Sequence, residues 1–174
     1  MKFENFALSG FMGAGKTKVG KGLAEKLGGD FNDSDTYISD NGLTNGIAIG
    51  DFITTNGIDI FRKIETQAIQ EILGVNPKVL ALGGGAITIA QNVQMLREAH
   101  YGIIYLECNF DTLAERILKA EREGKNNRKP FNESDFRKLY ESRQKIYKGT
   151  ANFIIQNNIG TAQDAVNLIL EAIK

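Results

Sequence analysis

The chain has a single cysteine, Cys108, and a single histidine, His100, in 174 residues. One cysteine cannot close an intramolecular disulfide, which suits a reducing compartment. One of each leaves too few soft ligands for a structural zinc site. An excess of either charge is also missing: 21 Lys and Arg stand against 21 Asp and Glu. That removes the overall basic field expected of a nucleic-acid or anionic-membrane binder. No apolar run approaches the roughly 20 residues that cross a bilayer, and the first residues lack the apolar stretch of a signal peptide. There is no internal repeat and no low-complexity tract. The expectation is a cytoplasmic monomer with a small-molecule partner, and with neither nucleic acid nor membrane as partner. Hydrophobic residues at 42% and charged residues at 24% are ordinary for a globular chain. The length suits one domain, 1–174.

What is present is an alternation of short apolar runs with longer helical patterns. Phe6 to Leu8 reads as a first strand, Phe31 to Asp35 as a second, and Val79 to Leu82 as a third. Ile103 to Leu106 and Phe153 to Ile155 follow as a fourth and fifth. Between them lie helical patterns over 17–27, 58–73, 92–99, 111–121 and 134–147. A last helix is capped by Thr161 and carries Ala165, Leu168, Ile169 and Ala172 inward. This order predicts an α/β fold, a parallel sheet with helices on both faces. Residues 33–62 and 121–133 break the pattern, and irregular segments of that size are usually binding regions or lids.

Gly10-Phe-Met-Gly13-Ala14-Gly15-Lys16-Thr17 matches the P-loop pattern G-x-x-x-x-G-K-[ST], placed between a strand and a helix as the motif requires. Its glycines let backbone N–H groups converge on an anion, and the following helix start adds a positive dipole. Lys16 is expected on the β- and γ-phosphates of ATP, and Thr17 on Mg²⁺. The nucleotide segment is taken as Gly13 to Lys18. The guanine-specifying Asn-Lys-x-Asp is absent, and no Asp closes the third strand. The carboxylates lie instead at Asp33 and Asp35, which in an extended segment point the same way. One could hold hydrated magnesium while the other meets an acceptor hydroxyl. His100 reads as a helix-end residue and Cys108 as a packing residue.

With Val19-Gly20, Leu23-Ala24, Asp33-Ser-Asp35, Phe61-Arg62-Lys-Ile-Glu65 and Leu82-Gly83-Gly84-Gly85-Ala86 added in order, the chain resembles the shikimate kinase family. The resemblance implies a P-loop NTPase sandwich with a five-stranded parallel sheet in order 2-3-1-4-5. It also implies a substrate-binding region over 33–62 and a lid over 121–133. The implied reaction moves the ATP γ-phosphate to the 3-hydroxyl of shikimate, in aromatic amino-acid biosynthesis. Asp35 then matches the acid that binds the acceptor hydroxyl and serves as base, and Asp33 the acid near magnesium. Arg62 and Arg143 match the two arginines on the shikimate carboxylate, and Gly83, Gly84 and Gly85 the loop beneath the substrate. Two guanidinium forks suit a carboxylate, and phosphoryl transfer needs positioning more than a strong base.

The chain departs from the family pattern in two places. Where the family carries Arg-Pro-Leu in its lid, this chain reads Asn127-Arg128-Lys129-Pro130-Phe131, so Arg128 or Lys129 supplies the lid cation. Where the family carries Gly-Glu-x-x-Phe-Arg, this chain reads Gly57-Ile58-Asp59-Ile60-Phe61-Arg62, with Ile58 at the Glu position. The adenine-side arginine is Arg116 or Arg122. A kinase for another small polyol acid, and a nucleotide-binding regulator without turnover, are the competing readings.

Overall fold

Strands whose successive residues are nearly all buried must be covered on both faces, and β1 (Asn5–Ser9), β3 (Val79–Ala81) and β4 (Tyr101–Glu107) are of that kind. In the computed structural model, which describes residues 3–124, 132–158 and 160–174, they form the centre of a parallel sheet. β2 (Phe31–Asp33) and β5 (Phe153–Gln156) close its edges, and the order is β2-β3-β1-β4-β5. β1 is paired on one side with β3, Phe6 opposite Val79, and on the other with β4, Phe6 opposite Gly102. The expected α/β architecture and strand order are therefore observed. β1 lies where the connections diverge to opposite sides, the place at which open α/β sheets bind ligands beyond their strand ends.

The helices cover both faces: α1 (Lys16–Leu27), α2 (Ser34–Asp40), α3 (Ile49–Asn56), α4 (Ile58–Val75), α5 (Ala90–Glu98), α6 (Phe110–Arg122), α7 (Glu133–Thr150) and α8 (Ala162–Ala172). Thr161 caps α8 as expected, in a reciprocal box with Asp164. The inward face of α8 differs from expectation. Ala165, Val166 and Ile169 are buried, whereas Leu168 is 45% exposed and Ala172 is exposed. The stripe is rotated because Val166 packs on α1 at Gly22, whose missing Cβ leaves room for it. Helix α4 runs past Gly74 to Val75 and ends at Asn76 in the left-handed conformation, φ 52°. His100 also adopts positive φ, 57°, just after α5, in keeping with a helix-end role.

The sheet and its helices share one large core, including Leu8, Leu23, Ile72, Leu80, Ile104 and Tyr147. A second, smaller cluster of Ile38, Phe52, Phe61 and Ala68 holds α2, α3 and α4 together. This smaller cluster underlies the irregular stretch 33–62.

Candidate functional site

The loop after β1 turns through Gly13 at φ 80° and Gly15 at φ 85°, backbone that residues with a Cβ avoid. Gly15 is the N-cap of α1 and offers no side chain to that helix end, so the first N–H groups stay open toward the cleft. Lys16 folds back over the loop, Nζ donating to the carbonyls of Gly10 at 2.8 Å and Phe11 at 3.1 Å. The Thr17 hydroxyl donates to Oδ2 of Asp33 at 2.6 Å.

The two acids do not sit along one extended strand as expected. β2 ends at Asp33, and α2 starts at Ser34. Asp is a strong N-cap, and Asp33 takes that role: Oδ1 accepts from the N–H of Asp35 at 3.0 Å and of Thr36 at 3.3 Å. One oxygen of Asp33 thus holds α2 and the other faces Thr17. Asp35, in the first turn of α2, still reaches the site. With Gly13, Gly15, Lys16, Thr17, Lys18 and Asp33 it lines a cleft of about 930 Å³.

The far wall of this cleft is built by α6 and the segment after β5. Arg116 lines it and donates to the Asn157 carbonyl at 3.0 Å. Arg122, at the end of α6, is exposed and is not among the described residues lining the cleft. The buried Asn157 donates to the Ala14 carbonyl at 2.8 Å and so ties the P-loop to β5. Cys108 is buried and donates to the Asn157 carbonyl at 3.1 Å. Burial raises its thiol above the ordinary range, as suits a packing residue. Arg128 and Lys129 lie outside the described residues.

A second cavity of about 260 Å³ adjoins the first and is lined by Asp35, Arg62, Glu65, Gly84, Gly85 and Arg143, with Ile49, Ile53, Ile58 and Phe61 on its apolar side. Met12, Asp35 and Phe136 line both cavities. Arg62 is held by Glu65 one turn on, Nη1 to Oε2 at 2.5 Å. Glu65 is 1% exposed, and burial raises its carboxyl despite the pull of Arg62 in the other direction. Arg143 lies over the Phe11 ring at 5.9 Å and donates to the Gly84 carbonyl at 3.3 Å. Burial pulls its guanidinium below the ordinary value, though an arginine stays charged.

The glycine loop has a sharper role than access for a ligand. A Cβ on Gly83 would overlap Glu65 and come to 2.7 Å from Oδ1 of Asp35, and one on Gly85 would overlap the Arg62 guanidinium. These glycines make room for the site's own charged groups. Gly83 N–H also donates to the buried Ser34 hydroxyl at 2.8 Å, which fixes the loop to α2.

Sequence reading gave Glu65, Tyr147 and Asn157 no individual role. Glu65 was visible only inside the Phe-Arg-x-x-Glu string. Tyr147 stands four residues after Arg143, so both share one helix face. Asn157 follows the last strand at the ligand-binding end of the sheet.

Residues 12–174 match the family model for shikimate kinase. A shikimate kinase of Streptococcus gordonii is 35% identical over 93% of this chain and 96% of its own length. Shikimate kinase of Geobacter sulfurreducens is 40% identical over 69% of this chain, a match that covers 64% of that protein. The structure of shikimate kinase from Acinetobacter baumannii in complex with shikimate superposes with a TM-score of 0.83 at 34% identity, covering 98% of this chain and 93% of that one. The chain belongs to the shikimate kinase family. The P-loop kinase fold and the expected class of ATP-dependent kinase are thereby both met. No helix among the described residues is long and apolar enough to cross a membrane.

Proposed function

We propose that this protein transfers the γ-phosphate of ATP to the 3-hydroxyl of shikimate, giving shikimate 3-phosphate and ADP. The observation that carries the reading is the shared wall at Asp35. It borders the P-loop cleft on one side and the pocket of Arg62 and Arg143 on the other. A phosphoryl donor in the first cavity and a hydroxyl acceptor in the second meet there. Arg62 and Arg143 take the acceptor's carboxylate, and Asp35 takes the hydroxyl and its proton. The apolar side formed by Ile49, Ile53 and Phe61 covers the ring. A pocket of about 260 Å³ suits a small acid and excludes a nucleotide.

The nucleotide binds along Gly13 to Lys18. Its phosphates lie against open N–H groups at the start of α1, and Lys16 exchanges its carbonyl partners for phosphate oxygens. Mg²⁺ fits the donors present: a hydroxyl and a carboxylate, Thr17 and Asp33, 2.6 Å apart. That ion keeps most of its shell as water and phosphate oxygen and needs few protein ligands. When bound, it neutralises charge on the transferring group. Arg116 borders the adenine end, and Arg128 or Lys129 meets the transferring phosphate from the 121–133 lid. The protein acts in the cytoplasm as a monomer.

A coupled ADP-release assay with ATP, magnesium and shikimate, run beside quinate and gluconate, tests the reading. Turnover with shikimate and not with the other two is expected. Turnover with gluconate alone would replace the acceptor, and silence with all three would leave a nucleotide-binding protein without this activity.

A further inference from the structure

Tyr147 is fully buried beneath the acceptor pocket rather than in it, and its ring is stacked on Tyr105 with centroids 5.0 Å apart at 19°. Its hydroxyl donates to the carbonyl of Gly84. The same carbonyl accepts from Arg143 Nη1 at 3.3 Å. Two residues one helical turn apart on α7 therefore converge on one peptide oxygen, and Gly84, Gly85 and Arg143 all line the pocket. Because a trans peptide is planar and no cis bond is present, fixing the Gly84 carbonyl also fixes the Gly85 N–H. That N–H has no hydrogen-bond partner among the described residues. Burial pushes the Tyr147 phenol up to about 12, so at neutral pH it is a proton donor.

We propose that Tyr147 is a positioning residue of the acceptor site. Its hydroxyl, seated on the Gly84 carbonyl beside Arg143, holds the Gly84–Gly85 peptide and the Arg143 guanidinium in the one arrangement that receives the acceptor's carboxylate end. The inference rests on the acceptor reading given above. Without the hydroxyl, Arg143 is the remaining side-chain donor to that carbonyl among the described residues. It then divides its donors between the loop and the ligand, and the peptide is freer to rotate. The cost falls on acceptor binding. ATP, held by a different loop, does not feel it.

Tyr147→Phe keeps the ring and its stack and removes only the oxygen. The expected result is a rise in shikimate KM of about 3- to 10-fold, as for loss of one hydrogen bond's net contribution. ATP KM should stay within about twofold and kcat nearly unchanged. Isothermal titration of shikimate without nucleotide should show the same loss of affinity. In a cycle with Arg143→Ala, the two effects should be less than additive, since Tyr147 acts through the group already removed. A lower melting temperature with unchanged shikimate KM and affinity would make Tyr147 a core residue only and overturn the proposal. Fully additive effects would overturn it as well. Wild-type protein that fails to bind shikimate in the same titration would instead count against the acceptor reading, which keeps the two failures distinct.

Discussion

The nucleotide cleft takes its P-loop groups from one contiguous run, Gly10 to Thr17, while the acceptor pocket gathers Asp35, Arg62, Gly84 with Gly85, and Arg143 from four separate places in the chain. The two halves also differ electrostatically. Thr17 is exposed, whereas Glu65 is buried, and burial is the largest influence on both Glu65 and Arg143. They differ in support too. The P-loop grows from β1 at the centre of the main core, and the acceptor wall leans on the cluster of Ile38, Phe52, Phe61 and Ala68. Phosphate is recognised mainly by backbone, so a short motif carries it. A small hydroxylated acid is recognised by side chains in three dimensions, so the fold must bring them together.

If the division is real, Lys16→Ala gives the largest single loss. The ammonium stabilises charge that develops on the transferring phosphate, and removal of such a donor costs about 10²-fold or more in kcat. Steady-state kinetics beside a circular-dichroism melt should show lost turnover in a folded protein. A near-wild-type rate would remove Lys16 from the chemistry. Next in size is Arg143→Ala, which should raise shikimate KM about tenfold or more (~1.4 kcal/mol) and leave ATP KM alone. An effect confined to ATP would place Arg143 in the other half and break the comparison.

The glycine loop sharpens the contrast at a finer scale. Gly85 has φ −111°, a backbone that alanine accepts. The objection to Gly85→Ala is Arg62, whose guanidinium occupies the Cβ position. At Gly84 the nearest atom to such a Cβ is the Met12 nitrogen, 3.4 Å away, an ordinary contact. Gly85→Ala should therefore raise shikimate KM severalfold, while Gly84→Ala stays within about twofold of wild type. Equal effects would mean that the loop matters through backbone freedom and not through the room it leaves for Arg62.

This arrangement explains what was legible beforehand. The strands, their alternation with helices and the P-loop motif follow from local patterns whose physics is local: apolar runs, glycine turns and a helix start. The strand order came with the family resemblance, because local patterns do not say which strands are neighbours. The pairing of Arg62 with Arg143 required the family resemblance, because no periodicity in the chain brings residues 62 and 143 together. The geometry of Asp33 and Asp35 was misjudged for a local reason. Asp-Ser-Asp-Thr is as good a helix-start signal as a strand end, and the N-cap bonds of Asp33 decided between them. The rotated face of α8 followed from packing against Gly22 of α1, a contact invisible to a helical wheel. Tyr147 escaped notice because its partner is a backbone carbonyl of a distant loop.

The smallest effect concerns Glu65, the buried partner that orients Arg62. Burial is the largest influence on its carboxyl and raises the folded-state pKa, Arg62 lowers it in part, and Asp35 adds to the rise. A carboxyl whose pKa is higher in the native state binds more protons there than in the unfolded chain. Its contribution to stability is then fully present below the unfolded value and is lost as pH rises through the folded one. Urea unfolding of the wild type and of Glu65→Gln, compared from pH 4.5 upward, should show the difference moving in favour of the variant across that window and levelling above it. The same substitution should weaken shikimate binding, because a neutral amide holds the Arg62 fork less firmly than a carboxylate does. A stability difference independent of pH would mean that Arg62 fully offsets the burial of its partner. The acceptor half would then carry no net electrostatic cost from burying Glu65.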